Sequence, residues 1–223
     1  QFSHWTGTNP GYQYVHSDQH IIKWYDNGNK LLIGCDGGLH FSGDKGITIR
    51  DRNVGLRLKQ FYSCAIHPTS TNYFLAGSQD NGVHQFSSSG LGSTVEVTGG
   101  DGAFVAIDQN DGKYQFGSYV YNDFKRSANG GATWANIFYS NNTGQFINPW
   151  DYDNTNFKIY GANTSSTYLR WDNPRTGNTF IPVTIALNNN IISAVTVSHY
   201  TSDLVYMGTD DYNNGVYTGP CRL

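Results

Sequence analysis

The 223-residue chain contains a single Glu, Glu96, beside 16 Asp, 23 Asn and 26 Gly. Asp, Asn and Gly supply the left-handed and side-chain-bonded conformations of short turns, so this balance favours turns over helices and an all-β chain follows. No apolar run approaches the ~20 residues that cross a bilayer as a helix, so no membrane span is expected. Basic residues show no excess either. Lys and Arg number 14 against 17 acidic residues, for a formal charge of −3, and the electrostatic grip that nucleic-acid binding needs is missing. Cys35, Cys64 and Cys221 fit no CxxC-type metal spacing, and their odd number leaves at least one thiol without a partner in the chain. They read as small buried hydrophobes, with a Cys35–Cys64 bridge between neighbouring repeats as the sharper alternative. The first residue is Gln rather than Met, from which a chain processed or excised from something longer is expected.

What the chain has in abundance is repetition. The stretches LLIGCDGG, FLAGSQDNG, YQFGSY, KIYGAN and VYMGTDDYNNG align on Gly34, Gly77, Gly117, Gly161 and Gly208. A second series, HIIKW, SCAIHP, FVAID, INPWDYD and SAVTVSHY, precedes each of these by a short turn. Each repeat is therefore a small antiparallel sheet. A period of about 40–45 residues with roughly four short strands predicts β-propeller blades rather than a helical solenoid. The expected architecture is one all-β domain or segment, residues 1–223, of about five four-stranded blades, either complete or cut from a larger propeller. Its repeats fall at 20–60, 61–102, 103–145, 146–190 and 191–223, with 1–11, including QFSHWTG, as an orphan outer strand.

Two further stretches carry family information. Ser127 to Trp134, SANGGATW, follows the pattern S-x-D-x-G-x-T-W with Asn129 in the Asp place, and Ser42 to Ile49, SGDKGITI, follows it with Ile49 in the Trp place. With VHSDQH, CDGGLHFSGDKG, QFYSCAIHP, GSQDNG and GGDGAFVAID, they make residues 12–134 resemble the Asp-box (BNR-repeat) propellers. The likeness is to secreted bacterial "glycosyl hydrolase, BNR repeat" proteins and, more distantly, to xyloglucanase-type and sortilin-type propellers. The resemblance implies that each Asp box is a structural hairpin between the third and fourth strands of a blade, with Trp134 packed between blades. It also implies a secreted or cell-surface protein.

If the Asp boxes mark one face, the polar loops fall on the other. Asp36 of CDGG, Gln79, Asp80 and Asn81 of SQDNG, and Asp210 and Asp211 of TDDYNNG lie between second and third strands. HSDQH and GGDG, with Asp101, join blade to blade. In an extended strand alternate residues share a face, so His16, Asp18 and His20 are expected to converge where neighbouring loops bring Asp36, Asp80 and Asp101. His16, Asp18, His20, Asp36, Gln79, Asp80, Asn81 and Asp101 are thus the candidate ligand-binding set. Two imidazoles and several carboxylates suit a divalent cation, zinc or calcium, with His16, Asp18 and His20 as its ligands. Asp18, Asp36, Asp80 and Asp101 are equally candidates for the acid and base of glycoside hydrolysis. The competing structural readings are D-G-G and D-N-G turns and a polar network locking adjacent blades.

Other residues weigh toward structure. His40 and His84 recur at one place, which Tyr217 takes in the fifth repeat, and this favours packing. Trp24, Trp150, Trp171, Tyr119, Tyr121 and Tyr152 are sugar platforms if exposed, although packing between blades consumes most propeller aromatics. The sequons at Asn141 and Asn163 are short matches expected by chance in so Asn-rich a chain. Among the relatives that the resemblance suggests, a sialidase is the least expected, because the chain has one Glu, Glu96, and few arginines, seven in all. The expected function is a glycan- or protein-binding module, with a xyloglucanase-like hydrolase using paired Asp as the alternative. The expected partner is a polysaccharide or protein, and the remainder of a longer polypeptide or a second propeller.

Overall fold

The computed structural model describes residues 11, 13–56, 59–88, 94–186 and 190–210, and the backbone of 212–213 and 216–217. The orphan segment QFSHWTG, Asp211, Cys221 and the Tyr217 side chain lie outside the described residues. The chain divides into two compact units, residues 1–59 and 60–223. Every described regular element is a strand.

The first unit is one antiparallel sheet of β1 (Gln19–Tyr25), β2 (Lys30–Cys35), β3 (Gly38–Ser42) and β4 (Arg50–Asp51), in that order. Asp26, Asn27 and Gly28 turn the chain between β1 and β2 with positive φ, as short-turn residues do. Leu31 and Ile33 of β2 point to one side and bury against Val15, with Cys35 and Ile49 beside them. This core is small. β1 is exposed along its whole length.

The second unit contains three more four-stranded antiparallel sheets. The second sheet runs β5 (Phe61–Ile66), β6 (Phe74–Ser78), β7 (Gly82–Phe86), β8 (Val95–Thr98). The third runs β9 (Val105–Ile107), β10 (Gln115–Ser118), β11 (Asn122–Ser127), β12 (Ala135–Ser140), and the fourth β13 (Trp150–Asp153), β14 (Lys158–Thr164), β15 (Thr167–Asp172), β16 (Thr179–Thr184). The fifth repeat shows a pair, β17 (Ile191–Val197) with β18 (Val205–Asp210), and a separate short ladder of β19 (Tyr212–Asn213) with β20 (Val216–Tyr217).

One device recurs where each first strand of the second unit turns into its second. Asp108 Oδ1 accepts the amides of Asn110 and Asp111 at 2.8 and 3.0 Å. Asp153 Oδ1 accepts those of Thr155 and Asn156 at 2.8 and 3.0 Å. His67 Nδ1 does the same for Thr69 and Ser70, and Ser198 Oγ for Tyr200 and Thr201. A short polar side chain that ends the strand satisfies two turn amides that would otherwise be unpaired. Three chemically different side chains, Asp, His and Ser, thus occupy one structural role at four turns.

The hairpins at 42–49 and 127–134 also share one bonding pattern. Asp44 Oδ1 accepts the Thr48 amide at 2.8 Å and its Oδ2 the Thr48 hydroxyl at 2.6 Å, while Ser42 Oγ takes the Gly46 amide at 2.8 Å. Asn129 Oδ1 accepts the Thr133 amide at 3.0 Å, its Nδ2 donates to the Thr133 hydroxyl at 2.8 Å, and Ser127 Oγ takes the Gly131 amide at 2.9 Å. The bonds to Thr48, then to Ser42, hold the Asp44 carboxyl below its ordinary value. Asn129 keeps the geometry without the charge.

Sheets two and three pack through Leu75, Val83, Val105 and Ile107, with Trp134 against them. Sheets three and four pack through Phe116, Phe124, Ile137, Trp150, Tyr152, Ile159, Leu169 and Trp171. Glycines that align in sequence do not all face alike. A Cβ on Gly77 would strike the Ala103 carbonyl in the connection that leads into β9, whereas one on Gly117 would point at Val83 of the preceding sheet. A one-residue change of register moves a side chain to the opposite face. His40 and His84 are buried, as their recurrence predicts. Cys35 and Cys64 are both free thiols, which overturns the bridge, and Cys64 is exposed rather than a buried hydrophobe.

Candidate functional site

In the first unit the opening motif is not a continuous strand. Asp18 has φ +58°, the left-handed region, and β1 begins only at Gln19. The alternation that would align His16, Asp18 and His20 is therefore broken at its middle residue. His16 packs its ring against Gly37, where a Cβ would fall 2.4 Å from the ring, and its Nδ1 lies 3.1 Å from the Ser17 carbonyl. Gln19 Nε2 donates to the His16 carbonyl at 2.5 Å. Among the described residues the donor atoms of His16, Asp18 and His20 do not gather into one set. The expected convergence of that trio on one point fails on this backbone kink.

What does gather is different. His20 donates from Nε2 to Asp36 Oδ1, and carboxylate oxygens of Asp18 and Asp36 lie within 4.8 Å of each other. The bond to Asp36, then its charge, and more weakly the charge of Asp18 raise the His20 pKa above its ordinary value. The Asp36 loop is held from below by Asn53, whose Nδ2 donates to the Gly37 carbonyl at 2.9 Å while its Oδ1 accepts the Leu39 amide at 2.8 Å. Asn53 stands outside every repeated motif, and nothing in the sequence marks it.

In the second unit, Gln79, Asp80, Asn81 and Asp101 come together. Asp80 also has positive φ, +55°. Its amide donates to Asp101 Oδ1 at 3.1 Å, the Gly82 amide to the Gly100 carbonyl at 2.6 Å, and the Gly102 amide to the Ser78 carbonyl at 2.9 Å. Asn81 Nδ2 donates to the Gln79 carbonyl at 2.8 Å, and the buried His84 donates from Nε2 to the Asn81 carbonyl at 2.6 Å. These are the bonds of a braced turn. Asp101 spends an oxygen on the neighbouring loop's backbone.

The aromatic candidates divide. Trp150, Tyr152 and Trp171 lie in the core, and Trp24 is half-exposed on β1. Tyr121 sits edge-on to Phe146 at 5.9 Å. Tyr119 crosses Gly100, where a Cβ would fall 2.5 Å from its ring. It lines an open cleft of about 530 Å³ with Val97, Thr98, Gly99, Asp123, Lys125, Trp134 and Asn136. Of these lining residues, only Tyr119 stands out in the sequence as a candidate ligand contact. The alternation of Asp123 and Lys125 just before the Asn129 hairpin is the signal that was there to find.

No protein-family model matches the chain, and no curated protein does. Solved structures do. A GH74 enzyme from Niastella koreensis superposes with TM-score 0.56 at 17% identity, over 87% of this chain and 34% of that one. YCF48 from Cyanidioschyzon merolae superposes with TM-score 0.53 at 13% identity, over 87% and 65%. A YCF48 structure bound to D1 peptide gives 0.51 at 11%, over 92% and 68%. The chain spans about a third of the GH74 enzyme and about two thirds of YCF48. With its repeated four-stranded sheets and lack of any described helix, it has the β-propeller fold.

Proposed function

We propose that this chain is a binding module of an Asp-box propeller, secreted or on the cell surface, that takes a polysaccharide or protein segment through its polar loops. The contacting residues are His16, Asp18, His20 and Asp36 in the first unit, and Gln79, Asp80, Asn81 and Asp101 in the second. One observation carries the reading. The candidate carboxylates are committed to holding loops and neighbours instead of standing apart across an open groove: Asp101 accepts the Asp80 amide, and Asp36 is bonded to His20 with Asp18 within 4.8 Å. Retaining glycosidases need about 5–5.5 Å between carboxyl groups and inverting ones about 6.5–9.5 Å, with sugar or water between. Asp36 is instead bonded to His20, and Asp101 to the Asp80 amide. The YCF48 structure with a bound peptide supports a protein segment as one class of ligand, and the GH74 likeness keeps hydrolysis by paired Asp as the alternative.

The test is retention of the protein on immobilised polysaccharides and on a peptide array. Retention that falls about tenfold in the His20→Ala/Asp36→Ala or Asp101→Ala variants, with folding preserved, supports the loops as the contact surface. Equal retention by wild type and both variants would reject them.

A further inference from the structure

The cleft beside Tyr119 has a volume of about 530 Å³, within the roughly 300–1,000 Å³ of small-ligand sites. Its floor is one face of the third sheet. Asp123 and Lys125 alternate on β11 and so share a side, and Asn136 of β12 stands opposite Lys125 in register. Trp134 and Tyr119 form its aromatic parts, and Thr98, Gly99 and Gly100 its far edge.

Three features define what fits. Lys125 Nζ lies 2.8 Å from Asp123 Oδ1, with the two side chains 15% and 19% exposed, so the charges cancel and an ionic ligand finds no uncompensated partner. The Trp134 indole N–H is buried while the residue is only partly so, so the cleft meets the carbon atoms of the ring and not its donor. The lining has one aliphatic residue, Val97, and otherwise offers amide, hydroxyl, ammonium and carboxylate groups beside two aromatic rings. An apolar ligand is therefore poorly served. A polyhydroxylated ring is well served, because its C–H face can lie on an aromatic ring while its hydroxyls bond to paired donors and acceptors.

We infer that this cleft binds a neutral saccharide, with a C–H face of the sugar against the Tyr119 and Trp134 rings and Asn136, Asp123 and Lys125 bonding adjacent hydroxyls. The inference does not rest on the loop residues, which lie outside this set.

The indole N–H resonance of Trp134 senses a ligand that seats against the ring. It can be assigned by its disappearance in Trp134→Phe, which keeps a ring against Leu75 and Val83. Titration with cellohexaose, mannohexaose and laminarihexaose should shift this resonance saturably with at least one of them. Asn136→Ala, an exposed position, should weaken that binding about tenfold with the spectrum of the fold intact. Shifts at the amides of 79–81 with Trp134 unmoved would overturn the cleft and leave the loop reading standing. Shifts produced by peptides and not by sugars, or no shift with any hexasaccharide at about 10 mM, would also overturn it.

Discussion

The two inner joints of the second unit solve the same packing problem differently. Between sheets three and four, Phe116, Phe124, Trp150, Tyr152 and Trp171 fill the space, and Phe180 packs tilted against Trp171 with centroids 4.9 Å apart. A buried clamp closes this joint. Arg175 reaches from the fourth sheet to Asp108 with Nε–Oδ2 2.6 Å and Nη2–Oδ1 2.9 Å, and the Tyr152 hydroxyl donates to Asp108 Oδ2 at 2.5 Å. The Arg175 guanidinium also lies 3.8 Å from the Phe157 ring centroid. Between sheets two and three the fill is aliphatic, Leu75, Val83, Val105 and Ile107, and the outer part is left as the Tyr119–Trp134 cleft. Side-chain volume decides which joint closes and which is left open.

The largest effects should come from the closed joint. Trp171→Ala should cost about 3–5 kcal/mol through lost burial and the cavity left behind. Asp108→Ala should cost about 3–5 kcal/mol because it strands Arg175. Urea denaturation checks both, and a Val83→Ala variant at the open joint should cost less, about 1–3 kcal/mol, since the neighbouring space can relax.

The clamp also sets an acid limit. Burial alone would raise the Asp108 pKa, but Arg175, Tyr152 and the amides of Asn110 and Asp111 outweigh it, and the net shift is downward. A carboxyl depressed in the folded state contributes stability that is present in full above its unfolded value of about 3.9 and is lost as pH falls through the lower folded value. Thermal melts of wild type should therefore steepen in their decline below about pH 4, and Asp108→Asn should flatten that part of the curve.

Smaller effects lie in the hairpins and loops. Asn129→Ala removes the bonds to the Thr133 amide and hydroxyl and should cost about 1 kcal/mol by the same denaturation assay. His20 is exposed, and its raised pKa comes first from the Asp36 bond. The pair is intact below the unfolded value of about 6.5 and weakens as pH rises through the higher folded value. An NMR titration should find His20 above 6.5 in wild type and return it to about 6.5 in Asp36→Asn.

The blades were legible because strand pairs and their turns recur with a fixed spacing, and a repeat of that kind needs no knowledge of packing. Asn129 and Asp44 were legible for the same reason, since their partners lie four residues away. The convergence of His16, Asp18 and His20 was not, because it assumed extended backbone at Asp18. The roles of Asn53, Arg175 and Trp134 depend on residues 14 to 67 positions distant. Alternation along a strand names the residues that share a face, but it does not say which face a neighbouring sheet will cover.

On the proposed reading the loop carboxylates hold loops and ligand and do not cleave. Its most direct test is the release of reducing ends from the same polysaccharides and hexasaccharides used for binding, measured alongside retention. Retention without release, unchanged in Asp18→Asn and Asp36→Asn, is the predicted result. Release by wild type that either substitution abolishes would contradict it and establish the paired carboxylates as a hydrolytic site.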